Sequence, residues 1–237
     1  MNMEYMKPKE IEKRSMELIE REMRTAPPRN HAPVVKRVIH TTADFEYEHS
    51  LTFSETAVSA ALQALRGGDR SQNTGTDFGS DRCDRQSAEQ SPVTIVTDTN
   101  MALSGINKGA LSRLGVHAVC YMADPDVAEE AVSRGVTRAA VSMEKAARLS
   151  GRLIFAVGNA PTALLRLKEL VDQKEVSPEL IVGVPVGFVN VVEAKELIMT
   201  AGVPYIVARG RKGGSTVAAA ICNALLYMAE DETYLVK

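Results

Sequence analysis

Beyond residue 92, short apolar runs alternate with longer helical patterns. This alternation constrains the fold more than any single residue does. The runs VTIVT at 93–97, AVCY at 118–121, LIFAV at 153–157, LIVGV at 180–184 and YIVA at 205–208 are each of strand length. Helical patterns fill the gaps at 101–114, 125–134, 142–149, 161–173 and 191–201, and an Ala-rich apolar helix follows at 217–226. Strands alternating with helices build βαβ units. The pattern therefore predicts an α/β fold, a doubly wound, mostly parallel sheet of about five strands with helices on both faces. Asp124-Pro125 and Asn159-Ala160-Pro161 are helix starts, and Gly135 and Gly202 are helix stops.

The residues before 92 read as N-terminal helices. Residues 8–23 carry an apolar stripe of Ile11, Met16, Leu18, Ile19 and Met23, and Pro8 suits a first-turn position. A second helix begins near Pro33 and faces Val35, Val38 and Ile39 inward; Arg37 and His40, three apart, share another face. Thr52-Phe53-Ser54-Glu55 fits a capping box ahead of an apolar run at 57–65, which Gly67-Gly68 ends. Residues 69–91 then turn polar and Gly/Ser-rich, so 67–91 is expected to be a mobile surface insertion. No repeat is evident, and one domain over 1–237 accounts for the whole pattern.

Composition narrows the partners. With a formal net charge of −2 the chain is not a general nucleic-acid binder, so an anionic partner must be met by a local cluster. Cys83, Cys120 and Cys222 are far apart and odd in number, which implies neither a disulfide framework nor structural zinc. The charged start MNMEYMKPKEIEKRS has no apolar signal core, and no run reaches membrane-spanning length; the expectation is a cytoplasmic protein with no membrane partner.

In an open parallel sheet, ligands bind beyond the carboxyl ends of the strands. The segments there are Asp98-Thr99-Asn100, Met122-Ala123-Asp124, Gly158-Asn159-Ala160-Pro161-Thr162, Pro185-Val186-Gly187-Phe188-Val189-Asn190 and Arg209 to Ser215. Most are small, polar or Gly-rich, and they outline one open cleft. The last, Arg209-Gly210-Arg211-Lys212-Gly213-Gly214-Ser215, gives it a basic wall. Its glycines allow close backbone approach, and the following helix offers unpaired N–H groups. It suits a carboxylate or phosphate, but no GK[ST] closes it as a Walker A loop. GxSxG, HExxH and GxGxxG are absent, as is a metal-ligand set of His and carboxylates. One proton-transfer group and good positioning would have to suffice. Among the four histidines, His40 has the most constrained context; Ser15 reads as a solvated helix residue.

The segments RVIHTTADF at 37–45, TDTNM at 97–101, GINK at 105–108, GVTR at 135–138, GNAPTAL at 158–164, VPVGFV at 184–189 and GRKGGS at 210–215 occur together and in order. In this the chain resembles the precorrin-8X methylmutase family, and within it the anaerobic, cobalt-precorrin-8 branch. The resemblance implies an isomerase of cobalamin biosynthesis. It would move a methyl group from ring carbon 11 to ring carbon 12 of a corrin precursor, with no cofactor of its own and any cobalt carried by the substrate. It puts the proton-transfer role on His40 and substrate contacts on Ser15, Arg37 and Arg138. With the residue reading, Asn159, Arg209, Arg211, Gly213, Gly214 and Ser215 complete the expected binding set; no residue is assigned to metal. The resemblance further implies a homodimer with the site near the subunit interface. Hand-over of product to the next pathway enzyme is compatible with it.

The chain departs from the family pattern in the longer 67–91 segment and at Ala194, where Ser is expected. Two rivals follow. One is the same reaction on the metal-free macrocycle; the other is a non-catalytic anion- or nucleotide-binding module, which uses the basic loop and gives His40 no task.

Overall fold

The computed structural model describes residues 7–67 and 92–231, without side-chain detail at 8 and 9. Nearly all of the expected insertion, with Cys83, lies outside the described residues.

All five predicted strands form. β2 (Val93–Thr97), β4 (Arg152–Val157), β5 (Leu180–Gly183) and β6 (Tyr205–Ala208) are almost wholly buried, and β3 (His117–Val119) lies at one margin. They pair in parallel in the order β3-β2-β4-β5-β6. A sixth strand, β1 (Leu51–Phe53), adds antiparallel to β6, and the capping-box reading of this segment is corrected accordingly. Thr52 pairs with Val207. The Tyr205 N–H donates to Ser54 Oγ at 3.0 Å, so Ser54 extends the sheet edge instead of capping a helix.

Alternation along the strands builds two cores. Ile95, Ile154, Ala156, Leu180, Val182 and Ile206 face one side. Val96, Leu153, Phe155, Val157, Ile181 and Val207 face the other. Strands buried on both faces have no polar side to show, which is why they read as continuous apolar runs.

Over the first face pack α1 (Pro8–Glu22), α2 (Ala32–Thr42), α4 (Ala57–Leu65), α5 (Asn100–Gly105), α6 (Lys108–Leu114) and the long α11 (Ser215–Glu230); the short α3 (Tyr47–Ser50) leads into β1. α11 is the hub of this layer. Its alanines let neighbours come close: a Cβ on Gly105 would stand 2.8 Å from Ala219 Cβ. Arg66 donates to the Met228 and Ala229 carbonyls, satisfying its last turn. Over the second face lie α8 (Arg138–Ala147), α9 (Pro161–Asp172) and α10 (Val191–Ile198), with α7 (Pro125–Arg134) packed on α8.

Two helix expectations shift. The pattern at 101–114 is split into α5 and α6, because Asn107 caps the second helix by accepting from the Ala110 N–H. The helix expected at 142–149 starts earlier, at Arg138, capped by Thr137, whose hydroxyl accepts from the Ala140 N–H.

Candidate functional site

The parallel strands run in the doubly wound order whose connection reverses between β2 and β4. The crevice beyond their carboxyl ends is the expected ligand position. Here the chain places a carboxylate of its own. Asp98, fully buried after β2, accepts from the Gly158 N–H at 2.8 Å, the Asn159 N–H at 2.8 Å and the Ala160 N–H at 2.7 Å. Burial pushes its carboxyl above the usual range while the three N–H donors pull the other way. Gly158 is required: a Cβ there would lie 2.7 Å from Ser215 Cα. The β4 loop and the start of α11 are thus pressed together, and Thr99 Oγ1 and Ser215 Oγ, 2.8 Å apart, close the seam.

The basic segment 209–215 lies beside this seam. The Gly214 N–H donates to Val184 O, and a Cβ on Gly213 would be driven into that same carbonyl. Much of the glycine content therefore serves loop-on-loop packing. Three of the cationic side chains are distinguished by what they touch. Arg209 forms a two-bond pair with Glu196 on the surface. Lys212 reaches Asp44 and Glu46, each at 2.6 Å, and this contact holds the Asp44 carboxyl below its ordinary range. Arg211 makes no ion pair among the described residues; its guanidinium lies over the exposed Phe188 ring, 5.5 Å from the centroid.

The Lys212 bridge ties this loop to the end of α2, where His40 stands exposed in the last turn. Val34, Val35, Val38 and Ile39 anchor the helix in the core. Ala43, left-handed at φ 53°, ends it and swings Asp44 toward Lys212. One turn back from His40, Arg37 pairs with Glu12 at 2.7 Å and lies over the Tyr227 ring, 5.1 Å from its centroid. Ser15 lies one turn beyond Glu12 on α1, and its hydroxyl donates to Ile11 O. The Arg37–Glu12 pair thus brings the α1 turn that carries Ser15 toward Arg37 and Tyr227, roughly 18 Å along α11 from Ser215. His40 lies between Arg37 and the basic loop.

Arg138 and Asn159 lie on the opposite flank, both exposed. The Thr137 hydroxyl donates to Thr162 Oγ1 at 2.8 Å, placing the starts of α8 and α9 side by side. Glu144, buried between Arg134 and Arg166, fixes α7, α8 and α9 behind them and is held below the usual carboxylate range. His31 stacks on Phe53 at 4.0 Å, a packing role that separates it from His40.

Two groups escaped sequence reasoning. Asp98 reads as an ordinary residue after a strand, and only the three facing N–H groups reveal it as an internal anion. Lys195 reads as a surface lysine of α10 between Glu193 and Glu196; it is fully buried, and its ammonium donates to Gly210 O and Lys212 O, each at 2.8 Å. Its neighbour Ala194 is buried in the second core, where a methyl needs no hydrogen-bond partner.

The profile of the family described as precorrin-8X methylmutase matches residues 10–71 and 84–228. A cobalt-precorrin-8 methylmutase of Salmonella typhimurium is 43% identical over 198 residues, 83% of this chain and 81% of that protein. One of Priestia megaterium is 38% identical over 224 residues, 94% of this chain and 89% of that one. The solved precorrin-8X methyl mutase of Thermus thermophilus superposes with a TM-score of 0.76 at 38% identity, covering 94% of this chain and 98% of its own. The chain belongs to the precorrin-8X methylmutase family.

Proposed function

We propose that this chain is the cobalt-precorrin-8 methylmutase of a cobalamin pathway, an isomerase that moves a methyl group from ring carbon 11 to ring carbon 12 of the corrin precursor. The observation that carries the site assignment is the Lys212–Asp44 bridge. It holds the end of α2, where His40 is exposed, beside a cationic strand-end loop. His40 is the proton donor and acceptor. Protonating the macrocycle withdraws electrons from the migrating centre, and the methyl shift then needs no nucleophile and no net electron transfer. On this reading the protein carries no resident cofactor, and cobalt arrives inside the substrate.

The substrate is wide, apolar in its middle and ringed by carboxylates. Arg211 and Arg138 offer guanidinium forks for that rim, and Phe188, Val186 and Val189 offer exposed apolar surface at the β5 end. Arg37 and Ser15 serve the far side of the ring. Arg209 serves it only after leaving Glu196. The cobalt form is favoured over the metal-free one because the Salmonella and Priestia relatives bear the cobalt name, although the Thermus protein bears the precorrin-8X name. The working unit is a homodimer, to which the resemblance and the exposed apolar side chains at the rim lend support. Among the described residues no helix is long and apolar enough to cross a membrane, which accords with a cytoplasmic location. Direct hand-over of product is part of the same reading and rests on tight binding at this rim.

A visible-absorbance titration with hydrogenobyrinic acid and its cobalt form, followed by gel filtration, tests it. A coloured complex co-eluting at dimer size is expected, with the cobalt form held better. His40→Ala should lower turnover by about 10²-fold or more while retaining that complex. Wild-type turnover in the variant would remove His40 from the chemistry, and absence of any complex would favour the non-catalytic anion-binding module.

A further inference from the structure

Lys195 is the one fully buried lysine among the described residues, and the chemistry above gives it no task. Its ammonium meets only neutral acceptors, Gly210 O and Lys212 O. A charge buried without a carboxylate is costly, so its retention calls for a compensating interaction. In a trans peptide the N–H points opposite to the C=O. With the carbonyls of Gly210 and Lys212 turned in toward α10, the N–H groups of Arg211 and Gly213 point outward. Neither has an acceptor among the described residues. The intervening Arg211 carbonyl is fixed by the Gly187 N–H at 3.2 Å. Because both carbonyls converge on one nitrogen, the two outward N–H vectors diverge. They suit two separate carboxylates of a larger ligand better than one small chelated anion.

Resting on the methylmutase reading, we infer that Lys195 is a positioning residue for the substrate: it braces the basic loop from beneath, turns the Arg211 and Gly213 N–H groups toward the carboxylate rim, and has its buried charge compensated when that rim binds. The charged groups around it are engaged elsewhere or share its sign. On its own helix Glu196 pairs with Arg209, and Glu193 is exposed. On the loop, Lys212 is held by Asp44 and Glu46, and Arg211 is a second cation. On α9, which packs on α10, Lys168 pairs with Asp172, and Arg166 with Glu169 and Glu144. On β6, which also packs on α10, Tyr205 is half-buried. Burial lowers the Lys195 ammonium to about 8.

The sign follows. In the free protein Lys195 loses its proton near pH 8, whereas in the unfolded chain it keeps it to about 10.5. Between those values the unfolded state binds more protons, so this residue's contribution to folding stability rises with pH. A bound carboxylate rim favours the charged form, so binding takes up a proton there and weakens with rising pH. Stability and affinity thus respond in opposite directions.

The experiment titrates hydrogenobyrinic acid into wild type, Lys195→Met and Lys195→Arg from about pH 7 to about pH 9.5. Wild-type affinity should fall about tenfold across that range. Lys195→Met should bind about tenfold more weakly at pH 7 with a flat profile over the same interval, and Lys195→Arg should recover affinity without the fall near pH 8. KM should carry the effect and kcat should not. If Lys195→Met does not fold, calorimetry of the wild type at about pH 8.5 in two buffers of different ionisation enthalpy decides the matter: proton uptake on binding supports the role, and none overturns it. A wild type that binds while both variants match its affinity and slope overturns this inference alone. A wild type that binds nothing overturns the proposed function and this inference with it.

Discussion

Two glycine-containing loops leave the carboxyl ends of β4 and β6, with β5 between them, and are braced by buried groups of opposite charge type. After β4, Asp98 takes up the N–H groups of Gly158, Asn159 and Ala160, so the Gly158 and Asn159 carbonyls are left pointing outward. After β6, Lys195 takes up carbonyls and leaves N–H groups pointing outward. The first loop therefore offers acceptors to a ligand and the second offers donors. Glycine content alone does not make an anion site. The buried group underneath decides which side of the peptide faces out, and at the reversal of strand order the chain has supplied the anion itself.

The largest effect expected from breaking this contrast is at Asp98. Asp98→Ala leaves three N–H groups without their acceptor, one bond buried and two part-buried, and a buried one is worth roughly 1–3 kcal/mol. The loss should approach about 3–6 kcal/mol in chemical denaturation, a large share of an ordinary domain's stability. Asp98→Asn, which keeps one accepting oxygen, should lose less. Acetate or formate added to Asp98→Gly should restore part of the lost stability by entering the emptied cradle. A variant within about 1 kcal/mol of wild type would mean that the carboxylate is not the brace.

Next comes Gly213→Ala. Its Cβ meets the Val184 carbonyl, a backbone atom that cannot swing away, so the β5 and β6 loops must part. A destabilisation of about 1–3 kcal/mol is expected, as for overpacking. Macrocycle affinity should fall with it, because the Gly214 N–H bond to Val184 O is lost as the loops separate. Gly210→Ala, at φ 77° with open space around its Cβ, is the control: it carries backbone strain without the clash. Gly213 has no positive φ, so a Gly213→Ala variant as stable as wild type would mean that the β5 and β6 loops do not depend on this contact.

The sheet was legible because parallel strands buried on both faces leave no polar residue to interrupt the apolar run, as in LIFAV and LIVG. β1 was not, since three residues at an edge with Thr52 and Phe53 half-buried carry no such signal. The break between α5 and α6 left a trace in Asn107. Its backbone N–H donates to Asn223 and its side chain donates to Tyr227, both distant in sequence. At the site, the strand-end loops and His40 could be read from the chain. The pairing of each cation could not, because Glu196, Asp44 and Glu46 reach the basic loop only after folding. Lys195 was hidden for the same reason: a lysine on an amphipathic helix reads as surface until the β6 loop folds over it.

The smallest effects separate the two arginines of the donor loop. Among the described residues Arg211 has no carboxylate to leave before it meets the rim; Arg209 must first release both bonds to Glu196. Arg211→Ala removes one charge-assisted contact and should weaken macrocycle binding by about tenfold to a hundredfold. Its stacking on Phe188 makes a linked check, because Phe188→Ala should weaken binding in the same direction through loss of the surface that orients the guanidinium. Arg209→Ala should change affinity by less than about threefold, since an exposed pair of this kind contributes little and is already satisfied. Absorbance titration of the three variants at one ionic strength reads the difference. If Arg209→Ala proved the more damaging, the Glu196 pair would have to open on binding, and the rim carboxylate would lie toward α10 and not toward Phe188.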